Sequence, residues 1–178
     1  EAVIGRIMDG LAEFRDLHVF HFGHRESDAL KVLSCRHHTR EDQVDELLRG
    51  HVLVDLHRVV KQALRASVEE YTLKQLEGLH QFKRSVNRRD AARSMQLFGW
   101  WLETGEELGG DVQELRATIE RYNEDECRST WQLREWLESQ RAVLERELGR
   151  PLERPAPESG SASAKRDAAS DETARVSR

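Results

Sequence analysis

Residues 51–56, with the sequence HVLVDL, are the stretch that indicates the fold class most directly. The run is short and apolar on both of its alternating faces, and its one acid, Asp55, lies near the C-terminal end. Such a strand is typical of a parallel sheet that is covered by helices on both sides. The stretch therefore predicts an α/β fold.

A second strand is predicted at 17–22, where LHVFHF is aromatic and β-branched. The other periodic segments predict helices, which we place at 2–14, 26–35, 39–50, 57–66, 72–80, 90–103 and 111–147. Thr39 is the predicted N-terminal cap of the third helix, and Gly50 its C-terminal stop. Two strands are too few for a sheet covered on both faces, so we expect a partner or upstream sequence to supply the others.

The composition predicts one domain followed by a tail. Residues 1–150 have the length and apolar content of a single domain with its own core. Residues 151–178 are rich in Pro, Ser, Ala and charge, which predicts a disordered tail or linker. Because the chain opens on Glu1 rather than Met, we interpret it as a fragment of a longer protein.

Charge and cysteine content limit the class of protein further. The net charge of −5 gives no global basic field of the kind that marks many nucleic-acid binders. The two cysteines, Cys35 and Cys127, lack CxxC spacing, which favours a reducing, cytoplasmic setting. The sequence has no apolar run as long as the roughly 18 residues of a membrane span, so no membrane association is predicted.

A local basic cluster is the main exception to the acidic balance. The segment KRSVNRRDAAR at 83–93 concentrates Lys83, Arg84, Arg88 and Arg89. A phosphate backbone could bind there, and a solvated loop and helix start is the alternative interpretation. The tryptophans leave a similar choice between base stacking and a core or docking role; they are Trp100, Trp101, Trp131 and Trp136.

The last predicted helix has an acid on the face that should be apolar. Apolar residues recur every three or four positions along this helix up to Tyr122, and the next position on the same inner face is Glu126. A buried carboxylate needs a cation, a proton or a metal as partner. Alternatively, the helix breaks near Asn123 and restarts with Asp125 as its cap, which would leave Glu126 in a solvated first turn.

Three acids thus occupy positions that suggest a common site. Glu26 follows the first strand after a short turn, Asp55 ends the second, and Glu126 interrupts the last helix. Ligands of open α/β sheets bind beyond the carboxyl ends of the strands. Converging carboxylates favour Mg²⁺ or Mn²⁺, and two such ions can promote phosphodiester cleavage. Tyr122, one turn before Glu126, would share its face and could orient water or a phosphate.

Several segments together resemble one known family. These are HVFHFGHRESDAL, HVLVDLHRVVKQALRASVEEYTLKQLE, RYNEDECRSTWQLREWLE and LGRPLERP, which span roughly residues 1 to 157. In order and spacing they resemble the YprB-type ribonuclease H-like domain, which has the DnaQ-like exonuclease fold found in RecB-family nucleases and is often joined to a helicase. The resemblance implies a ribonuclease H-like fold, of which this chain is the helix-rich C-terminal part, with the N-terminal strands missing.

The resemblance also implies a set of functional residues. Two-metal 3′ to 5′ hydrolysis in this superfamily uses acids in three motifs; Glu26 resembles the second-motif acid, and Tyr122 with Glu126 the third motif. Asp55 resembles an acid that recurs after the second motif. Lys74 and Glu77, in YTLKQLE, match a signature that we interpret as structural or backbone-contacting.

The sequence departs from the family pattern at three places. The first motif, a strand with two acids, would lie upstream of Glu1, so this chain alone is expected to be catalytically incomplete. Arg25 stands where an aromatic residue is usual. Glu126 replaces Asp, and its longer side chain would shift a metal ligand by about 1.5 Å. Asp125 could substitute as a metal ligand, although it points about 100° away around the helix.

We therefore expect a metal-dependent 3′ to 5′ exonuclease domain that acts on nucleic acid, with DNA favoured over RNA, beside a helicase domain or subunit. The catalytic set is Glu26, Asp55, Tyr122 and Glu126, and the metal set is Glu26, Asp125 and Glu126. The expected nucleic-acid contacts are Lys74, Lys83, Arg84, Arg88 and Arg89. The alternatives are a catalytically degenerate docking module of the same fold, and a helical interaction protein whose acids are merely solvated.

Overall fold

A computed structural model describes residues 1–14, 16–105 and 111–154 of the chain, and these contain two strands and seven helices. In chain order the elements are α1 (Ala2–Glu13), β1 (Val19–His21), α2 (Arg25–His37), α3 (Glu41–Arg49), β2 (Leu53–Asp55), α4 (Leu56–Ala63), α5 (Leu73–Leu76), α6 (Arg88–Thr104) and α7 (Val112–Leu148). The predicted α/β class is confirmed, and each predicted element has an observed counterpart. The domain is rich in helix and has a small sheet.

The two strands pair in parallel, in the register that aligns Val19 with Leu53 and His21 with Asp55. The connection between them runs through α2 and α3, as a parallel pair requires. Both strands are only half-buried in the described part of the chain. The expectation of cover on both faces is therefore not met by these residues.

Two hydrophobic cores flank this sheet. The first, here called the N-terminal core, is formed by α1, α3 and the residue before β2, and its fully apolar centre consists of Ile4, Val44, Leu47 and Val52. Leu47 is inaccessible to solvent, and Val19 of β1 packs against the cluster. This core follows from the helical periodicity of α1 and α3, which places apolar residues on one side of each helix.

The second, here called the C-terminal core, joins α4, α5 and α7. Its buried apolar residues are Val60, Leu73, Leu76 and Leu133. Phe22, just after β1, and Trp136 on α7 pack against them. The short helix α5 begins at the cap Thr72, whose side chain accepts a hydrogen bond from the Gln75 N–H. The C-terminal core thereby fixes α5 and the loop that follows it against α7.

Helix α7 is continuous over 37 residues, so the alternative of a break near Asn123 is wrong. The prediction that Glu126 occupies the inner face is also wrong, because the buried acid is Asp125 and the same face continues through Ser129 and Leu133. Glu126 lies on the flank of this face and is half-buried. The buried face of α7 therefore includes two polar side chains, Asp125 and Ser129.

The predicted cap of α3 also differs from the structure. The cap position is Arg40, in a left-handed conformation (φ 55°), and it makes no capping hydrogen bond through its side chain. Thr39 instead donates its hydroxyl hydrogen bond to Glu1 Oε1. Gly50 is the C-terminal cap, as predicted.

Two further predictions concern the chain as a whole. None of the helices in the described ranges has both the length and the apolar character needed to span a bilayer. The predicted tail lies almost wholly outside the described residues, since only 151–154 of it are included, and these have no regular secondary structure.

Candidate functional site

The loop that follows α5 runs beside α7 and carries a buried arginine between two carboxylates. Arg84 donates hydrogen bonds from Nε to Glu77 Oε1 (2.8 Å) and from Nη1 to Glu126 Oε1 (2.8 Å). Only 13% of the Arg84 side chain is exposed, against 36% for Glu126. We call Glu77, Arg84, Tyr122, Glu126 and Ser129 the Arg84 cluster.

Glu77 is held in place from both sides of this interface. Leu76, its neighbour in α5, is fully buried against α7 and directs the end of the helix toward Arg84. Ser129 of α7 donates a hydrogen bond to the same Glu77 Oε1 (3.1 Å) that accepts from Arg84. The sequence predicted a structural or backbone-contacting role for Glu77, and the structure shows side-chain contacts to Arg84 and Ser129.

The charge state of Arg84 follows from its two partners. Burial by itself would lower the pKa of Arg84, but hydrogen bonds and charge from Glu77 and Glu126 raise it well above its usual value. The guanidinium therefore stays charged and binds the two carboxylates. Its central carbon also lies 5.3 Å from the ring centre of Tyr122, a cation–π contact.

Tyr122 and Glu126 are brought together one turn apart on α7, as predicted. Burial raises the pKa of Tyr122, and the adjacent Glu126 carboxylate raises it further, while the charges of Arg84 and Arg88 act in the opposite direction. Arg88 therefore lies close enough to influence this phenol from the start of α6. The phenol is neutral at pH 7 and can donate a hydrogen bond.

Asp125, a predicted metal ligand, is buried and binds the loop before α6. Its Oδ2 accepts three hydrogen bonds from the loop before α6: the Ser85 N–H (2.8 Å), the Ser85 hydroxyl (3.0 Å) and the Val86 N–H (3.1 Å). Burial would raise the pKa of Asp125, but these hydrogen bonds and the charge of Arg84 lower it below its ordinary value. Asp125 is thus an ionised clamp that fixes the loop on α7.

The other two predicted acids lie at the carboxyl ends of the strands. Asp55 caps α4: its Oδ1 accepts from the His57 N–H (2.9 Å) and also from the Gly23 N–H (2.8 Å), which ties the turn after β1 to the end of β2. Glu26 is in the first turn of α2, with its side chain 56% exposed, and its Oε2 lies 3.7 Å from His21 Nδ1. These acids contact the sheet edge rather than Glu126.

The four acids fit a divalent-metal site only in part. Glu26 and Glu126 offer carboxylates that solvent can reach, although Glu126 Oε1 already accepts a hydrogen bond from Arg84. An oxygen of Asp55 and one of Asp125 accept hydrogen bonds from backbone N–H groups. Across residues 1–14, 16–105 and 111–154, no three or more His, Cys, Asp or Glu side chains form a group that could hold a metal ion. The described residues therefore do not complete a metal centre by themselves.

The predicted nucleic-acid contacts divide into two kinds. Lys74, Lys83, Arg88 and Arg89 are exposed. Arg84, in contrast, directs its guanidinium at Glu77 and Glu126. Sequence reasoning placed Arg84 with the basic cluster because its position in the sequence gives no sign of these partners.

Ser129 and His80 were not singled out from the sequence. His80 Nε2 lies 3.3 Å from Ser129 Oγ. Burial lowers the pKa of His80, although the charge of Glu77 and the backbone of Leu76 act in the opposite direction. Ser129 is fully buried where the stripe of α7 should carry an apolar residue. Its spacing of four from both Asp125 and Leu133 is the signal that could have identified it.

Comparison with known proteins identifies the family. Residues 1–138 match the sequence model of a family described as belonging to the RNase H superfamily. The chain therefore belongs to this superfamily, and its helix-rich α/β structure with a small parallel sheet fits such a domain. No curated protein and no solved structure is significantly similar to the chain. The match supports a domain of the nuclease type.

Proposed function

We propose that the chain is part of a metal-dependent exonuclease domain of the YprB type, which removes nucleotides from the 3′ end of nucleic acid, with DNA favoured over RNA. The main support is the pair formed by Tyr122 and Glu126, which lie one turn apart on α7 at the partly exposed edge of the Arg84 cluster. Membership of the RNase H superfamily supplies the reaction class, phosphodiester hydrolysis.

In this proposal Mg²⁺ or Mn²⁺ is the cofactor, and Glu126 and Glu26 are the ligands that the described residues supply, since their carboxylates are accessible. The bound ions would activate water and stabilise the leaving oxygen. Tyr122 would donate a hydrogen bond from its neutral phenol to water or a phosphate oxygen. Asp125 and Asp55 position the loop and the turn around the site. The resemblance adds a helicase domain or subunit as partner, and the cysteine content favours a cytoplasmic setting.

One observation favours a second candidate function. Arg84 already supplies a positive charge to Glu126, at 2.8 Å, so this carboxylate is neutralised without any divalent ion. A ribonuclease H-like module with such a pair could bind nucleic acid or a protein without hydrolysing it. The two candidates differ in whether a metal ion binds at Glu126.

The test measures metal binding and hydrolysis in the same preparations of the complete domain to which the chain is proposed to belong, because the chain alone is expected to be catalytically incomplete. Mn²⁺ or Mg²⁺ should raise the melting temperature of the chain, because a ligand that binds only the folded state stabilises it. A 5′-labelled DNA strand should be shortened from its 3′ end when either ion is present. Both effects should disappear in Glu26→Gln and Glu126→Gln and persist in Glu69→Gln, an exposed control.

The outcomes separate the two candidates. If the metal ions neither stabilise the chain nor support hydrolysis, the exonuclease proposal is overturned. Metal-independent DNA binding without hydrolysis would instead support the docking module.

A further inference from the structure

An open groove lies between the loop after α5 and the turns of α7 that come directly after Glu126. It has a volume of about 580 Å³ and is lined by Gln81, Phe82, Lys83, Cys127, Arg128, Trp131 and Gln132. The groove adjoins the Arg84 cluster, because Lys83 precedes Arg84 in the loop and Cys127 follows Glu126 on the helix. Trp131 lies about 7.5 Å further along the helix axis than Glu126.

The lining of this groove differs in charge from the rest of the chain. It contains two cations, Lys83 and Arg128, and no acid, although the whole chain has a net charge of −5. Arg128 also pairs with Glu124, which lies one turn earlier on α7 and outside the lining (Nη2 to Oε1, 2.7 Å), so Lys83 is the stronger of the two phosphate-binding candidates. A second surface pocket offers a comparison, since its lining includes the acids Glu41 and Asp42. The groove beside α7 is therefore suited to an anionic ligand.

Trp131 gives the groove an aromatic surface that is held in position. Its side chain is exposed, although burial of a Trp is usually favourable. The guanidinium of Arg134 lies 5.7 Å from the Trp131 ring centre and also 5.4 Å from that of Phe20. This cation–π contact holds the indole against Arg134 on the continuous helix α7.

Positive charge, amide groups and a supported aromatic ring are the features that bind single strands without reading their sequence. Bases stack on exposed aromatic rings, while cations contact the flanking phosphates. We propose that the groove binds single-stranded DNA, with one base stacked on Trp131 and adjacent phosphates bound by Lys83 and Arg128. The inference rests on the proposed function in taking nucleic acid as the ligand, but it requires neither a metal ion nor hydrolysis.

The first experiment measures binding of the full chain to fluorescein-labelled oligo(dT) of about 16 nucleotides, a length within the usual site sizes. Fluorescence anisotropy is recorded in EDTA, so that metal binding has no influence. Trp131→Ala should weaken binding about 5- to 150-fold, the range expected for loss of one base stack, whereas Trp131→Phe should keep most of the affinity. Trp100→Ala, which removes another exposed tryptophan, should bind like the wild type.

A second measurement tests the phosphate contacts. Lys83→Gln should weaken binding and reduce the slope of log K against log salt concentration by about 0.7, the value expected for one lost phosphate contact to a single strand. Lys74→Gln, an exposed lysine outside the groove, should leave the slope unchanged.

A chemical test avoids any change to Trp131, whose loss also uncovers Arg134. Cys127 lies in the groove, Cys35 lies on α2 outside it, and both thiols are free and exposed. A bulky maleimide on Cys127 in a Cys35→Ser background should block oligo(dT) binding. The same reagent on Cys35 in a Cys127→Ser background should not.

The inference is overturned if Trp131→Ala, Lys83→Gln and modified Cys127 all bind oligo(dT) like the wild type, or if oligo(U) binds more tightly than oligo(dT). Failure of the proposed function is distinguishable. Absence of metal-dependent hydrolysis with intact, Trp131-dependent binding overturns the exonuclease and leaves the groove, whereas metal-dependent hydrolysis together with oligo(dT) binding that none of the three changes weakens overturns only the groove.

Discussion

The N-terminal and C-terminal cores of this chain are stabilised in different ways. The centre of the N-terminal core is apolar throughout, with Leu47 fully buried. The C-terminal core places Leu76 and Leu133 beside Glu77, Arg84 and other buried polar groups. An apolar core accepts substitutions that keep its volume, whereas buried charges require particular partners at particular distances. The second region is therefore the more specific one, and it carries the candidate site.

The largest effect is expected when Arg84 loses its most buried partner. Glu77→Ala removes the more buried of the two carboxylates and leaves Arg84 paired only with the more exposed Glu126. Breaking a buried pair costs about 3–5 kcal/mol. Urea denaturation measures the free energy of unfolding. The double variant Glu77→Leu/Arg84→Met should cost less than Glu77→Ala alone, because no uncompensated charge then remains buried. If Glu77→Ala lowers the free energy of unfolding by less than about 1 kcal/mol, the charged groups of the C-terminal core do not contribute as described.

The second prediction concerns the N-terminal core. Leu47→Ala should lower the free energy of unfolding by about 2–5 kcal/mol, because the fully buried side chain leaves a cavity. Ile4→Val in the same core should cost only about 0.5–1.5 kcal/mol. Since no titrating group belongs to the centre of this core, the loss in Leu47→Ala should be similar at neutral and acidic pH. A loss that varied with pH would contradict the comparison.

The smallest of the three effects should depend on pH. Asp125→Asn removes the charge that accepts three hydrogen bonds from Ser85 and Val86, at a cost of about 1–3 kcal/mol at pH 7. Because the pKa of Asp125 is lowered in the folded state, its contribution is present above the unfolded pKa and is lost as pH falls through the folded pKa. The difference from the wild type should therefore shrink on acidification below about pH 3.8, the ordinary value.

Thermal unfolding of both proteins from pH 7 downward gives this comparison. Glu124→Gln, an exposed change on the same helix, should stay within about 0.5 kcal/mol of the wild type. An Asp125→Asn difference that stayed constant in acid would show that Asp125 acts by shape and not by charge.

The prediction of the fold succeeded where the hydrophobic pattern is local. Periodicity located every described element, including α7, because apolar spacing along a helix or strand is visible in the sequence. The prediction that Glu126 faces inward failed because neighbouring residues on a helix point about 100° apart, so a shift of one position exchanges Glu126 for Asp125 on the buried face. Whether Asp125 or Glu126 faces inward depends on the loop at 85–86, which supplies the hydrogen bonds that Asp125 accepts. That loop is 40 residues away in sequence.

By itself, the sequence determined the helix-rich α/β class, the parallel strand pair and the pairing of Tyr122 with Glu126 on one helix. The helices and the Tyr122–Glu126 pairing depend on residues close together in the chain, and the parallel pairing was indicated by the apolar pattern within the strand at 51–56. Only the tertiary structure decided that Arg84 bridges Glu77 and Glu126, that Asp125 fixes a loop, and that a groove opens beside Trp131. The physical reason is that charged groups find distant partners through packing, and a one-dimensional pattern of apolar residues does not encode which partner each will meet.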